Sequence, residues 1–417
     1  MKIDKPNIGK DLIWNYISII ILALSGTVFN AIIIWFYNPE ALGVFNQVYA
    51  YYIVLSQVCV WGVHMSVGQS IPLLLNNKKE QKVALTTAIF VVALISCVVV
   101  MIVYFIIRIH DSAVVISFVY VLPAIVIFSI NKVILNFFNG ISSMRIYAVL
   151  QSLRSFSIAI GILMLAWIGA GELELSKCFL IGELLVLLVG IFLLLNNKSL
   201  SFKISNKWVK KHLIFGSEII LSNLILELNT KIDIMCLGWI LKDDYLIGIY
   251  SFAVLFAEGF YQVFVVIRRN INPYIATNGQ KKENRTETIR RILDDTKKIV
   301  QPLRVFGPMI ISVAYVILCV ILRKTEYIVG VWMLLIICVF IAIVAKTIIL
   351  GNYFSQIEKP VIESIINAVA VISNLVGNVI LISIMGLYGA ALATGISYVC
   401  FAVLLQIFIK KEEKNKI

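Results

Sequence analysis

Apolar runs of about 20 residues recur along the whole chain and are separated by short polar or basic segments. A run of that length crosses the hydrocarbon core of a bilayer as an α-helix. The chain has 417 residues, of which 60% are hydrophobic. A soluble domain of this size would fill its interior before its surface became polar. The sequence therefore predicts an all-α polytopic membrane protein.

The apolar runs predict about twelve transmembrane helices. Lys2, Lys5 and Lys10 precede the first run, which is too long for the core of a signal peptide, so we expect an uncleaved first helix. The approximate ranges are 12–36, 43–63, 83–107, 113–138, 146–168, 178–195, 213–240, 246–267, 300–322, 327–351, 361–384 and 388–409.

Lysine and arginine are distributed unevenly between the two sides of the predicted membrane. One side, which includes both termini, carries 27 of them, and the opposite side carries five. Because short cytoplasmic loops are enriched in these residues, we expect both termini to be cytoplasmic. The net charge of +13 is then explained by attraction to the anionic lipids of the inner leaflet, without a nucleic-acid partner.

The two halves of the chain carry matching cations inside apolar runs. Lys132 and Lys346 are each followed thirteen residues later by another cation, Arg145 and Lys359. A cation in hydrocarbon costs roughly 3 kcal/mol on insertion scales, so it is usually retained for a partner or a pathway. We interpret the match as a duplication that produces two six-helix bundles, related by a pseudo-two-fold axis along the membrane normal. The predicted parts are a first bundle at 1–197, a basic cytoplasmic linker at 198–212, a second bundle at 213–410 and a cytoplasmic tail at 411–417.

Two basic segments are predicted to lie at the cytoplasmic surface. The longest connection, 268–299, alternates basic and apolar residues at helical spacing. This pattern fits a basic amphipathic helix on the headgroups and equally fits a cytoplasmic extension of the ninth span. Trp208, followed by Lys210 and Lys211, resembles an interfacial anchor.

The first and seventh spans occupy equivalent places in the two halves, and both carry polar stripes. Asn30 lies on the stripe of the first span, whereas Glu218, Asn229 and Asp233 belong to that of the seventh. Such stripes line a cavity or form hydrogen bonds between helices. We favour a substrate cavity for the acids, and for the serines and asparagines alone we favour packing. The other members of the first stripe are Asn15, Ser18, Ser25 and Gly26.

Three cations inside apolar runs are candidates to hold a phosphate group of the substrate. Charge-assisted hydrogen bonds to phosphate are strong, which favours Lys132, Arg154 and Lys346 for this role. The two lysines lie about 9 Å or less from the cytoplasmic ends of their helices, where a lysine can also snorkel to the headgroups. Arg154 enters more deeply, and snorkelling explains it less well.

Glu258, Glu218 and His64 are candidates for coupling to a proton or sodium gradient. Glu258 lies near the middle of the eighth span, and His64 lies where Gly62 and Gly68 interrupt the second. A lone histidine is also compatible with a purely structural role.

The other acids of the spans have simpler interpretations. Glu227 and Lys231 are four residues apart, so we expect them to neutralise each other on one helix face. Glu183 and Glu363 are close enough to the ends of their spans to be interfacial.

No pattern typical of an enzyme or a metal centre is found in the sequence. The seven cysteines are scattered singly, without C-x-x-C or zinc-ligand spacing. Walker A, G-x-S-x-G and H-E-x-x-H motifs are absent, and the outer loops are too short for a catalytic domain. We therefore expect a non-enzymatic protein with no cofactor, apart from a coupling ion.

Four segments of the second half carry a family resemblance. They are Lys231 to Gly238, Gly248 to Ser251, Asn374 to Asn378 and Gly386 to Thr394. They resemble the corresponding helices of Wzx-type polysaccharide or O-antigen flippases, of the multidrug/oligosaccharidyl-lipid/polysaccharide exporter superfamily. In span count and loop size, the resemblance extends over the whole chain.

This resemblance implies two bundles that form a V opening alternately to either side of the bacterial inner membrane. The implied substrate is an undecaprenyl-diphosphate-linked oligosaccharide, a unit of lipopolysaccharide O-antigen or another surface polysaccharide. The implied partner is a polysaccharide polymerase or assembly complex. The buried acids depart from a purely basic cavity and leave room for cation coupling. The alternatives are a cation-coupled multidrug antiporter of the same superfamily and a membrane polysaccharide polymerase.

Overall fold

The structure, a computed structural model, describes residues 25–107, 112–278 and 285–414. Within these ranges the chain folds into fifteen α-helices, joined by short loops and 3₁₀ turns. The helices are α1 (Ser25–Phe36), α2 (Pro39–Val60), α3 (Val63–Ser70), α4 (Lys78–Ile107), α5 (Ala113–Val119), α6 (Leu122–Gly140), α7 (Met144–Trp167), α8 (Lys177–Asn196), α9 (Asn206–Ile240), α10 (Asp244–Asn278), α11 (Arg285–Ile321), α12 (Val331–Ile349), α13 (Tyr353–Gln356), α14 (Pro360–Met385) and α15 (Leu387–Lys414).

The helices confirm an all-α polytopic membrane protein. Nine helical segments of the described chain are long and apolar enough to cross a membrane, and the number rises to eleven when each of two bent pairs counts as one span. Helix α1 is the described part of the first predicted span. Asn15 and Ser18 of that span lie outside the described residues.

The helices divide into two compact units within α9. Unit 1 ends at Leu228 and unit 2 begins at Asn229. Unit 1 therefore contains α1 to α8 with the first part of α9, and unit 2 contains the remainder of α9 with α10 to α15. The bundle boundaries expected from the sequence, on either side of the linker at 198–212, stay a prediction.

The second predicted span is broken, as its glycines suggested. Asn38 caps the start of α2 by accepting a hydrogen bond from the Ala41 amide, and Pro39 occupies a first-turn position that needs no donor. Trp61 and Gly62 then adopt positive φ angles of 48° and 65°. This left-handed step ends α2, and the segment from Val63 to Leu74 continues at an angle of 57°.

The core of unit 1 lies between α3, α4, α6 and the first part of α9. Phe137 and Phe138 of α6 are almost fully buried there, together with Trp208 of α9. Trp208 is only 3% exposed, and its indole nitrogen donates a 2.7 Å hydrogen bond to the Glu80 carboxylate. The interfacial role expected for Trp208 is therefore wrong, because this side chain packs inside the protein.

The long basic connection of the second half is built as helix extensions. Helix α10 continues to Asn278, and α11 runs without interruption from Arg285 to Ile321. Of the two alternatives for residues 268–299, the structure has the extension of the ninth span over residues 285–299, while residues 279–284 lie outside the described part of the chain. The start of α11 is bound to the last helix, α15, because Arg285 forms a 3.0 Å ion pair with Glu412. Glu412 also forms a 2.6 Å ion pair with Lys359.

Close backbone packing at the broken span yields a stability prediction. A Cβ atom at Gly216 would lie 2.0 Å from the carbonyl oxygen of Trp61, so Gly216→Ala should destabilise the protein by about 1–3 kcal/mol through overpacking. Gly259→Ala is the matched control, because a Cβ at that helical glycine meets nothing within 4 Å. Thermal unfolding in detergent measures both variants. Equal melting temperatures would contradict the close approach.

Candidate functional site

A buried ion pair joins α7 and α8 in unit 1. The Arg154 Nε atom lies 2.5 Å from Glu183 Oε1, and their side chains are 12% and 0% exposed. Glu183 also accepts hydrogen bonds from the Tyr52 hydroxyl at 2.7 Å and the Asn131 amide at 2.8 Å. The interfacial position expected for Glu183 is therefore wrong, because α2, α6 and α7 each send a donor to this one carboxylate.

Small-residue packing brings the two helices of this ion pair together. Gly182 precedes the carboxylate on α8, and a Cβ atom there would lie 2.5 Å from the Ile158 side chain of α7. Gly182 therefore permits an approach that a larger residue would prevent. The donors compensate the cost of removing both charges from water, which a buried pair must otherwise bear.

Lys132 lies beside this network and points inward. Its Nζ atom donates a 3.1 Å hydrogen bond to the hydroxyl of Ser56, a fully buried residue of α2. It also lies 4.4 Å from the centre of the Phe128 ring, while the Arg154 guanidinium carbon lies 3.9 Å from the same ring centre. The ring therefore brings two of the three predicted cations together, through favourable contacts with its π face.

Lys346 has a different environment from Lys132, which it matches in the sequence. It occupies the last turn of α12 in unit 2, where cations suit the helix dipole, and its side chain is exposed. The two lysines match in sequence position but differ in burial, so they do not form equivalent local sites.

The remaining candidates of unit 1 are dispersed. Asn30 is buried between α1 and α2, where it accepts a 2.9 Å hydrogen bond from Asn46, as helix packing predicts. Glu218 is exposed on α9. His64 follows the break between α2 and α3, and its buried Nδ1 atom has no hydrogen-bond partner. Glu227 accepts a 2.8 Å hydrogen bond from Gln57, and its pairing with Lys231 stays a prediction.

A second polar cluster surrounds Asp233 in unit 2. The carboxylate accepts hydrogen bonds from the Asn378 amide at 2.7 Å, the Thr394 hydroxyl at 2.5 Å and the Tyr250 hydroxyl at 3.2 Å. These donors come from α14, α15 and α10, so four helices converge on one acid. Asn374 joins the cluster by accepting a 2.9 Å hydrogen bond from Asn378.

This cluster forms one wall of a cavity of about 300 Å³ within unit 2. Three of the predicted residues, Asn229, Asp233 and Glu258, line it together. Two stacked tyrosines, Tyr261 and Tyr398, form an aromatic side with ring centres 5.4 Å apart. The other lining residues are Thr230, Lys231, Val254, Ala257, Gln262, Ile337, Asn374, Thr394 and Ser397.

The cavity offers oxygen ligands rather than the ligands of a transition metal. Carboxylate, amide and hydroxyl oxygens of the lining residues Asp233, Glu258, Asn374 and Thr394 are the donors that hard cations prefer. Asn378, which donates to Asp233, is not among the described lining residues. In the described part of the chain, no group of three or more His, Cys, Asp or Glu residues could hold a metal ion.

Sequence reasoning assigned no role to most of the partners of these two acids. Asn374 and Asn378 carried a detectable signal, because two amides four residues apart share one face of an otherwise apolar helix. Tyr52 and Asn131 carried none, since they lie more than 50 residues from Glu183 in sequence.

A family model described as "Polysaccharide biosynthesis protein" matches residues 8–278, well over half of the sequence. The chain belongs to this family. No curated protein sequence matches the chain.

Solved structures of transporters share the fold. The lipid II flippase MurJ in an inward closed conformation has a TM-score of 0.75 and 16% identity, covering 96% of this chain and 87% of MurJ. An inward-facing MATE family multidrug resistance transporter of the MOP superfamily has a TM-score of 0.74 and 11% identity, covering 98% and 100%. A MOP superfamily transporter from Pyrococcus furiosus has a TM-score of 0.58 and 12% identity, covering 96% and 95%.

Because the Arg154–Glu183 pair is buried, we expect two Glu→Gln substitutions to lower the free energy of unfolding by very different amounts. Glu183→Gln leaves the Arg154 charge buried without its carboxylate, which should cost about 3–5 kcal/mol. Glu174→Gln, which removes an exposed i,i+3 pair with Lys177, should leave the stability almost unchanged, because solvent screens that pair. Thermal unfolding of the purified variants measures both, and similar losses would contradict the buried pair. In Arg154→Met/Glu183→Gln, part of the stability lost in Glu183→Gln should return.

Proposed function

We propose that the protein is a flippase that moves an undecaprenyl-diphosphate-linked oligosaccharide across the bacterial inner membrane by alternating access. The oligosaccharide is the repeat unit of a surface polysaccharide or O-antigen. A sugar headgroup cannot cross hydrocarbon unaided, because each unsatisfied polar group costs several kcal/mol there. The protein supplies the polar surface, and the polyprenyl tail stays in the lipid.

The observation that carries this proposal is the pair of cations around Phe128, in a member of a polysaccharide biosynthesis family. Lys132 keeps donors beyond its bond to Ser56, since an ammonium group has three. Arg154 binds Glu183 through its Nε atom and Tyr52 through its Nη2 atom, and it keeps further guanidinium donors beside Lys132. A diphosphate would add charge-assisted hydrogen bonds to both cations. Lys346 of unit 2 is a further contact for the substrate, as are the predicted residues Asn30, Asn229 and Asp233.

The fold and the charge distribution support the direction of transport. Among the proteins with this fold is a lipid II flippase. The basic side of the chain holds both termini, which fits a multi-pass protein with cytoplasmic termini and substrate loading from the cytoplasmic leaflet. We expect anionic lipids of that leaflet and a polysaccharide polymerase or assembly complex as partners.

The unit 2 cavity supports coupling to a cation. Asp233 and Glu258 place two carboxylates in one cavity, with neutral oxygens nearby to complete the coordination of a sodium ion or to stabilise a bound proton. Asp233 is the better candidate to bind the ion, because three hydrogen-bond donors orient its carboxylate. Glu258 is the second acid of the same cavity. The proposed coupling roles of Glu218 and His64 are separate, since both lie in unit 1.

Loss of the lysines should stop the flipping step. Lys132→Gln/Lys346→Gln removes two positive charges from the substrate path, so lipid-linked oligosaccharide should accumulate on the cytoplasmic leaflet of a strain that depends on this protein. Lys203→Gln/Lys210→Gln makes the same charge change in the basic linker and is the matched control. Surface-polysaccharide blots and lipid extraction measure the outcome. Normal surface polysaccharide in a stably expressed Lys132→Gln/Lys346→Gln strain would overturn the role of these lysines.

Ion coupling should depend on the acids of the cavity. Asp233→Asn and Glu258→Gln should each abolish the stimulation of transport by a sodium or proton gradient, because a neutral amide cannot balance the charge of the ion. Glu287→Gln, which changes an exposed acid of α11, should keep the stimulation. Transport into proteoliposomes with imposed gradients measures this effect. An unchanged ion dependence in both cavity variants would rule out coupling through this cavity.

One observation favours a second candidate, a cation-coupled multidrug antiporter. The unit 2 cavity combines two acids with stacked tyrosines, a chemistry that attracts lipophilic cations. Expression in a drug-sensitive strain tests this function directly. Resistance that disappears in Glu258→Gln would favour the antiporter, whereas complementation of a flippase-deficient strain would favour the flippase.

A further inference from the structure

A separate cavity of about 310 Å³ lies in unit 1, where α4 begins and where α6 and α8 end. Phe137 and Ile141 form its apolar wall, and the residues that follow α8 form a polar one. It shares no lining residue with the site around Phe128: Phe137, its nearest lining residue on α6, follows Lys132 by five residues, or about 7 Å along the helix axis. The inference drawn from it does not rest on the transport function proposed above.

The cavity concentrates positive charge. Lys78, Lys82 and Lys198 all line it, and no acid is among its described lining residues. The nearby acid of the first turn of α4, Glu80, is engaged elsewhere: its Oε1 atom accepts the Trp208 indole N–H at 2.7 Å and lies 3.5 Å from the Lys207 ammonium. The three lysines are therefore not neutralised by that carboxylate, and the cavity favours an anion.

Gln81 provides an independent sign of a missing ligand. This residue lines the cavity and is only 4% exposed. Its Oε1 atom accepts from the Lys78 ammonium at 3.5 Å, which leaves the amide nitrogen as the free donor. That nitrogen is buried and has no hydrogen-bond partner. A buried donor without an acceptor is costly, so an acceptor bound in the cavity would remove the penalty.

The helix termini around the cavity contribute fields of both signs, because α4 begins there whereas α6 and α8 end there. Helix α4 begins at Lys78 and presents the positive end of its dipole there, while the Asn77 side chain already caps the Glu80 amide. At the end of α8, the carbonyl groups of Leu193, Leu194 and Leu195 are occupied by the amides of the turn that follows. These carbonyls therefore do not compete with an anion for the lysines.

We propose that this cavity binds a phosphate or diphosphate group. The three ammonium groups and the Gln81 amide supply donors to oxygens of a small tetrahedral anion. The volume is at the small end for ligand sites, which fits a headgroup rather than an oligosaccharide. A phosphate monoester on a lipid and a soluble diphosphate share this chemistry. The cavity lies at the end of a strongly apolar span, α4, so a phosphate carried by a membrane lipid can reach it.

Two binding measurements separate these sources. In the first, the full-length protein in phosphatidylcholine nanodiscs is titrated with inorganic pyrophosphate by calorimetry at constant ionic strength. In the second, nanodiscs containing a minor fraction of phosphatidic acid are used, and native mass spectrometry counts the retained anionic lipids. Binding in the first arm identifies a soluble phosphate ligand, and binding in the second alone identifies a lipid headgroup. Absence of binding in both arms overturns the proposal.

Matched variants assign the binding to the cavity. Lys78→Gln/Lys82→Gln should weaken binding about tenfold or more by removing charge-assisted donors. Lys79→Gln/Lys203→Gln removes the same charge from two exposed lysines that do not line the cavity, and it should bind almost normally. Equal weakening in the two double variants would show that general surface charge, rather than the cavity, attracts the anion.

Gln81→Leu distinguishes a ligand donor from a packing residue. Leucine has a similar size and no unpaired donor, so the melting temperature should be maintained or raised. If Gln81 binds the phosphate, the affinity should nevertheless fall about tenfold while the fold is retained. Unchanged affinity together with a raised melting temperature would refute the role of Gln81.

Discussion

The structure depends on how unit 1 accommodates the carboxylate of Glu183 away from water. Removing an ion from water costs several kcal/mol, so a buried carboxylate persists only where partners surround it. Arg154 supplies the opposite charge, and Tyr52 and Asn131 supply two further hydrogen bonds. Because these partners come from three other helices, the acid constrains how α2, α6 and α7 pack around α8. Phe128 packs against Arg154 of this network, and Lys132 lies over the same ring.

Asp233 of unit 2 is accommodated differently, and the difference separates a structural acid from a candidate ion site. The donors to Asp233 described above are all neutral, and the carboxylate lines a cavity that it shares with Glu258. Glu183, by contrast, has an arginine in direct contact and is fully buried. A negative charge that opens onto a cavity can be balanced by a mobile cation, whereas one enclosed with an arginine is balanced permanently.

Much of the fold was predictable, because the signal for a membrane span is local. A run of apolar side chains and a glycine-rich interruption are both properties of short segments, and the break at Trp61 and Gly62 follows the second signal. The candidate site was less predictable. Trp208 and Glu183 were assigned to the interface, since neither Glu80 nor Arg154 is close enough in sequence to reveal the contact. Arg154 was recognised as unusual, but its ion-pair partner was not.

The sequence by itself determined the helical membrane-spanning class and membership of the polysaccharide biosynthesis family, because both signals are local: one is the length of an apolar run and the other is a match over residues 8–278. The finer resemblance to Wzx-type flippases stays a prediction. The sequence also showed which cations lie inside apolar runs. Only the tertiary structure decided what those cations do locally: Arg154 is paired with a carboxylate, Lys132 is held inward by a serine and an aromatic ring, and Lys346 is exposed. The physical reason is that the free energy of a charge depends on the groups within a few ångströms of it. Those groups come from distant parts of the sequence.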